Sequence, residues 1–300
     1  MVAEVHQIDT QFYAFLYHLS DTQVFLFLSI LIISTSIIAV FIVHKFIPLN
    51  LRYKDNGVIG YMSAFVSIIY GVLAGLMALY LINNINYAAD AVEHESDAVA
   101  NIYRDSLWLN PNFRESIHAS IRQYLNGVIN VEWPKMRNGI PLDSTNEVAI
   151  NDISTKLSTY PVTTRQDVMS VHELMQDVKT LYNSRQQRIH MTYAALNPEI
   201  WVVIAIGTIL TLAMNFLYGM NFYLHLVVTT AAGLMTASIL FLLITLDKPF
   251  EGEFIIEPDA FIYILNHMDT GDLKNQARLQ TKNPATKNTN MITKDETATQ

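Results

Sequence analysis

The 300-residue sequence is 51% hydrophobic and only 15% charged, and its formal net charge at pH 7 is -8. Because soluble domains carry about 25% charged residues, this composition indicates a membrane protein. The net negative charge and the lack of a basic stripe argue against nucleic-acid binding. The sequence contains no phosphate loop, dinucleotide-binding turn, zinc helix or cysteine nucleophile, so neither an enzyme nor a cofactor is predicted.

The first apolar block predicts a transmembrane hairpin over residues 23–82. Residues 24–44 and 58–82 carry no acidic or basic side chain other than His44. Each stretch is long enough, at 1.5 Å per residue, to cross a hydrocarbon core of about 30 Å. A short polar turn joins them. The preceding segment, 1–22, contains no Lys or Arg, so a cleaved signal peptide is not expected.

Span two carries a small residue at every fourth position: Ser63, Ser67, Gly71 and Gly75. This spacing keeps the four residues on one helix face, where another backbone can approach closely. Packing between spans of one subunit is the first interpretation. A pore wall and a contact between subunits are the alternatives.

Residues 83–198 predict a helical, water-exposed domain. One helix continues out of span two to near Asn110, and an amphipathic helix closes near Trp133. A short third helix follows at 148–157. The fourth begins with the capping-box-like pair Thr164 and Asp167 and runs towards span three. Two spans are therefore expected to extend as long helices into the domain.

The second apolar block predicts another hairpin over 199–246, with spans at 200–218 and 222–246. Span four repeats the small-residue pattern more briefly, at Thr229, Gly233 and Ala237. His225, near the start of span four, is the only ionisable group expected at bilayer depth, and bonding to water or to a carbonyl is expected rather than a proton or ion relay. An exit segment follows at 247–269. The tail at 270–300 is polar and is predicted to be disordered.

Four spans place the N-terminal segment, the central domain and the tail on one side of the membrane. The basic residues near the spans are balanced between the two sides, with Lys45, Arg52 and Lys54 opposing Arg185, Arg188 and Lys248. The positive-inside rule therefore leaves the orientation open.

A set of residues in the central domain and at the ends of the spans has the order and placement of a family motif. They are Glu93, Glu95, Arg104, Glu132, Trp133, Pro134, Arg185, Arg188, Pro198, Trp201, Asp247, Pro249, Phe250 and Gly252. In their order and placement over about 24–261, these residues resemble the bacterial bestrophin-like domain family of unknown function. The resemblance implies a protein of the bacterial inner membrane, related to bestrophins, which are pentameric anion channels with four spans. It also implies a cytosolic central domain, whereas the basic turn of the first hairpin favours the opposite side.

The resemblance has limits at the sites that bestrophins use. The acids after span four, Glu253, Glu257 and Asp259, are spread out, so no calcium or other metal site is predicted. The only candidates in span two for the aromatic rings that narrow a bestrophin pore are Phe65, Tyr70 and Tyr80. Arg185 and Arg188 are expected to pair with acidic residues of the bundle, with lipid phosphate or an anion as alternatives.

Two functional hypotheses follow. The first is an oligomeric channel, for inorganic anions by the resemblance, in which span two lines the path. The second is a non-conducting membrane scaffold or sensor that acts through the helical domain. In both, the partners are the lipid bilayer and further copies of the chain.

Overall fold

The computed structural model describes residues 20–252 and 256–282, and within them every regular element is helical. Most of the N-terminal segment, Glu253, and the tail beyond 282 lie outside the described residues. Four helices are long and apolar enough to cross a membrane. The predicted class, an all-helical membrane protein with four spans, is confirmed.

The helices are numbered here in chain order. They are α1 (Asp21–Phe46), α2 (Leu49–Tyr53), α3 (Asn56–Asp105), α4 (Pro111–Gly127), α5 (Trp133–Arg137), α6 (Glu147–Ser158), α7 (Arg165–Thr192), α8 (Pro198–Phe216), α9 (Phe222–Leu246) and α10 (Asp259–Lys282). A 3-10 turn, Ser106–Trp108, follows α3. A π-helical segment, Val128–Glu132, lies between α4 and α5.

The described chain forms two compact units. The first contains the residues up to Val92, with Lys135–Leu142 and Ser184–Glu257, and the second contains Glu93–Pro134, Asp143–Asn183 and the residues from Pro258. The helix α3 is continuous and contributes to both units. The membrane segments therefore belong to the first unit.

In the first unit, α9 packs along α1 and also contacts α8. Small residues allow the first of these contacts: a Cβ on Gly233 would lie 3.5 Å from Ile32 Cγ2 and from Ser36 Oγ, and Thr229 and Ala237 are buried. The predicted packing face of span four is thus confirmed. His225 also behaves as expected, because its Nε2 lies 3.0 Å from the carbonyl oxygen of Asn215.

The connections within the two hairpins are tied to each other. The side-chain amide of Asn56 donates to the Gly219 carbonyl and accepts from the Gly219 N–H, both at 2.8 Å. Arg52 donates to the Tyr218 carbonyl at 3.0 Å. Gly219 is needed for this approach, since a Cβ there would lie 2.6 Å from Tyr53 Cα. We call these three hydrogen bonds, together with the close approach of Gly219 to Tyr53, the loop clasp.

In the second unit, α4 packs against α6 and α10. The apolar face predicted for this stretch is buried, with Ile117, Ile121 and Leu125 each at most 1% exposed. The start of α7 is capped as predicted: the Asp167 N–H donates to Thr164 Oγ1 at 3.1 Å, and the Thr164 N–H donates to Asp167 Oδ2 at 2.7 Å.

Two expectations about helix ends are wrong. Span three is not an extension of α7, because the chain leaves the helical conformation between Thr192 and Pro198. Proline disfavours the α conformation in the residue before it, and Asn197 is extended at φ -60°, ψ 144°. Helix α10 continues to Lys282, so residues 270–282 of the tail predicted as disordered are helical.

Candidate functional site

The candidate site begins with the membrane segment of α3. One side of this segment is held within the chain: the Tyr70 hydroxyl lies 3.0 Å from Thr208 Oγ1 of α8, and Ala74 and Leu81 enter a core with Ile204. Ser63 is also buried. Tyr70 is therefore engaged in packing within the first unit.

The other side of the same segment is exposed in the single chain. Its large side chains recur at helical spacing, with Ile68, Val72, Leu76 and Leu79 all more than half exposed. Gly71 and Gly75 border this face, and a Cβ on either would meet no atom within 4 Å. Packing within one subunit, the first interpretation for these glycines, is therefore not what the structure shows. A subunit contact and a pore wall remain as interpretations.

Beyond the apolar segment, α3 carries acidic residues on its exposed surface. Asp90, Glu93 and Asp97 are all exposed and follow a spacing of three and four residues. Such spacing places side chains along one face of a helix. Arg104, nearer the end of the helix, is exposed and pairs with Asp105 at 3.2 Å.

Glu95 is the buried acid of α3. It is 0% exposed, and the hydroxyl of Tyr124 donates to its Oε1 at 2.6 Å. The carbonyl of Tyr124 in turn accepts from the side-chain amide of Asn146 at 3.2 Å. A buried carboxylate needs such partners because loss of its water is costly. Glu95 therefore has a structural role in the second unit.

Glu132 lies at the end of the π-helical segment and is 3% exposed. Trp133 follows it and packs its ring edge-on against Phe261 of α10, with ring centroids 5.6 Å apart. Pro134 is exposed. Isolated π-helical turns are rare and often occur where a helix accommodates a functional residue. The sequence placed a helix end here but did not reveal the π turn.

Arg185 and Arg188 are both almost fully buried, at 1% and 0% exposure. Arg188 Nη1 lies 3.0 Å from the sulfur of Met136, within the first unit. Buried arginines are found where their charge is compensated or used. The pairing of Arg185 and Arg188 with acidic residues of the bundle stays a prediction.

The exit from span four forms a compact structure with the entry to span three. Asp247 accepts a hydrogen bond from the Leu196 N–H at 2.7 Å, and the Trp201 side chain also bonds to it. Burial raises the pKa of Asp247 to about 6, against the lowering effect of these donors. Pro198, the first residue of α8, is exposed. The start of α8 and the end of α9 are thereby joined by one carboxylate.

The residues after Asp247 continue this structure. Pro249 and Phe250 are buried, and Glu251 pairs with Lys248 at 2.7 Å. Gly252 has φ 101°, a conformation that glycine adopts without strain. Of the acids considered for calcium, Glu257 approaches Arg137 at 3.9 Å and Glu253 is not described. Among the described residues, no three His, Cys, Asp or Glu side chains converge as a metal site.

Burial is the largest cause of the pKa shifts of two titratable groups in the second unit, His118 and Asp177. His118 is 2% exposed, its Nε2 lies 2.9 Å from Ser106 Oγ, and its Nδ1 has no hydrogen-bond partner. Burial lowers the pKa of His118 to about 4. Burial, reinforced by Asp105 and Glu173, raises the pKa of Asp177 to about 6.

The comparisons with known proteins agree with this architecture. The family model described as a Bestrophin-like domain matches residues 30–261. No protein with a curated description matches. The fold is similar to the crystal structure of a membrane protein, with TM-score 0.61, 11% identity, and coverage of 81% of this chain and 97% of that one. It is equally similar, at TM-score 0.61, 10% identity and the same coverage, to a variant of a bacterial bestrophin homologue from Klebsiella pneumoniae.

Proposed function

Since the chain belongs to the family defined by the Bestrophin-like domain, we propose that it is an oligomeric ion channel whose path is lined by the membrane segment of α3. In a bacterium its place is the inner membrane, which it spans four times. The observation that carries the proposal is the unfilled face of α3. A Cβ on Gly71 or Gly75 would meet no atom of the described residues within 4 Å, although small residues on a membrane helix serve close approach.

The acidic side chains of α3 affect which ion the proposed channel would conduct. The resemblance to bestrophins implies an inorganic anion. The exposed acids Asp90, Glu93 and Asp97 act in the other direction, because rings of acidic side chains near a channel attract cations. A reversal potential measured under a potassium chloride gradient separates the two, and its sign reports whether chloride or potassium carries the current.

The first test is ion flux from liposomes that hold the purified full-length protein, with the oligomer mass measured in parallel. Gly71→Leu and Gly75→Leu place bulk on the unfilled face. Ala231→Leu, at an exposed position in α9, adds the same bulk elsewhere in the membrane region. We expect the wild-type protein and Ala231→Leu to conduct, and both glycine variants to lose flux while keeping the oligomer mass.

Other outcomes discriminate between the interpretations of α3. Glycine variants that disperse the oligomer would identify the face as a subunit contact instead of a pore wall. Wild-type flux that survives both glycine variants would move the path away from α3. No flux of chloride, nitrate, sodium or potassium from folded protein would refute the channel and leave the scaffold or sensor function.

A further inference from the structure

The hairpin connections in the first unit bring together three nitrogen-bearing side chains: His44 at the end of α1, Arg52 in α2 and His225 in the first turn of α9. We call them the tip cluster. The rings of His44 and His225 have centroids 5.1 Å apart. Arg52 is tied to the same connection through Tyr218 in the loop clasp. Each lies at a hairpin connection, at the edge of the apolar spans.

Arg52 is a buried cation with little to compensate it. It is only 6% exposed, and among the described residues its one hydrogen bond goes from Nη1 to the Tyr218 carbonyl. Its Nε is buried without a partner. No ion pair connects the guanidinium to a carboxylate of the described chain. Arginine stays charged in proteins, and a buried charge without a counter-charge is strongly unfavourable.

His225 adds a second unused nitrogen. It is 0% exposed, its Nε2 faces the Asn215 carbonyl, and its Nδ1 is buried without a hydrogen-bond partner. A carbonyl can only accept, so the proton of the neutral ring lies on Nε2. A nearby anion would favour the doubly protonated ring, in which Nδ1 also becomes a donor.

His44 places both ring nitrogens next to backbone carbonyl groups. Its Nδ1 lies 3.1 Å from the Val40 carbonyl oxygen and its Nε2 lies 3.4 Å from the Met220 carbonyl oxygen. His44 therefore packs against the His225 ring, and the donors that remain for a ligand belong to Arg52 and His225.

The surrounding backbone and side chains also contribute positive electrostatic potential. Helices α3 and α9 begin in these connections, at Asn56 and Phe222, and the start of a helix carries partial positive charge. Lys45 and Lys54 are exposed nearby in sequence. Across residues 44–56 and 217–225 the sequence contains a single carboxylate, Asp55, which is exposed.

We infer that the tip cluster binds a phosphate-type anion, with Arg52 as its main ligand and His225 Nδ1 as a second donor. Arginine suits this ligand because its planar fork matches phosphate oxygens. The phosphate is supplied by the headgroup of an anionic lipid or by free inorganic phosphate. This inference is independent of ion conduction.

The test measures thermal unfolding of the full-length protein in micelles of neutral detergent, by tryptophan fluorescence. One arm adds inorganic phosphate, with ionic strength held constant by potassium gluconate. The other adds dioleoyl phosphatidylglycerol, with dioleoyl phosphatidylcholine as its neutral match. We expect one of the two phosphates to raise the unfolding temperature of the wild-type protein by about 2–4 °C when present well above its dissociation constant. The arm that responds identifies the source.

The variants assign the effect to the cluster. Arg52→Gln should weaken binding about tenfold or more, as expected for a lost charge-assisted hydrogen bond. His225→Gln keeps Arg52 and its bond to Tyr218, and should weaken binding by a smaller factor, so it carries the test if Arg52→Gln does not fold. Lys54→Gln removes the same charge from an exposed position of the same connection and should weaken binding far less than Arg52→Gln does.

Three results would overturn the inference. The first is no response of the wild-type protein to either phosphate. The second is an equal loss of the response in Lys54→Gln and Arg52→Gln, which would indicate general charge attraction. The third is an unchanged response in both cluster variants. A loss of oligomer mass in Arg52→Gln, with no response to either phosphate in the wild type, would assign the counter-charge of Arg52 to a second copy of the chain.

Discussion

The His118 imidazole predicts a pH-dependent loss of stability in the second unit. Ser106 Oγ donates its proton to the Tyr103 carbonyl at 2.7 Å, so the His118 Nε2–H must donate to Ser106 Oγ. This leaves Nδ1 unprotonated and buried without a partner. Protonating it would add a charge and an unpaired N–H inside the domain, which is why burial lowers the pKa of His118 to about 4.

The sign and size of the effect follow from proton binding. The unfolded chain binds a proton on this histidine near pH 6.5, whereas the folded chain does not until about pH 4. Stability is therefore complete above pH 6.5 and is lost as the pH falls towards 4. The full shift corresponds to about 3 kcal/mol. Solvent screening reduces the expected loss to about 2 kcal/mol.

The assay compares chemical unfolding of wild-type protein and His118→Phe in micelles between pH 4 and pH 7.5. Phenylalanine removes both ring nitrogens and can keep the ring contact with Tyr103, whose centroid lies 4.5 Å away. We expect the loss on acidification to shrink by about 2 kcal/mol in this variant. His94→Gln, which removes an exposed histidine, should retain the wild-type dependence. Parallel pH profiles for wild type and His118→Phe would refute the reasoning.

Two further predictions concern contacts in the first unit. Gly219→Ala should destabilise the protein by about 1–3 kcal/mol in thermal unfolding, as overpacking does, because the added Cβ would overlap the backbone of Tyr53. Gly57→Ala is the control and should not destabilise the protein, because a Cβ there meets no described atom within 4 Å. Equal effects of the two substitutions would contradict this account. Asp247→Ala should lower the free energy of unfolding by about 1–3 kcal/mol, because it leaves the buried Leu196 N–H unpaired. Asp247→Asn keeps an acceptor for that N–H and should be more stable than wild type above pH 6, where the wild-type carboxyl is forced to ionise. A destabilised Asn variant at pH 8 would show that the charge itself is needed.

Features encoded in local sequence were predictable. The four spans follow from the length of the uncharged runs, and the start of α7 follows from Thr164 and Asp167, whose mutual hydrogen bonds need only four consecutive residues. The end of α7 was missed although its signal was present, because Pro198 disfavours helix in the residue before it. The apolar periodicity on both sides of that break concealed it.

Features that depend on distant residues were not predictable in the same way. The reciprocal bonds of Asn56 with Gly219 join residues 163 positions apart, and nothing in the periodicity of either hairpin indicates the partner. The burial of Arg52 belongs to the same class, since in the sequence it reads as one of three basic residues in a polar turn. For Gly71 the spacing indicated close approach correctly but could not distinguish a neighbour within the chain from one outside it.

The pairing of α1 with α9 has a consequence for how the protein is made. The first span packs chiefly on the last, so its partner is synthesised about 200 residues later. At roughly 5–20 residues per second, the ribosome needs about 10–40 s to supply it. During that interval the face of α1 that ends against Gly233, including Ser36, lies in lipid or against an insertion factor. The spans of the first hairpin must therefore stay in the bilayer without this partner for that time, and the loop clasp forms only when the second hairpin has been inserted.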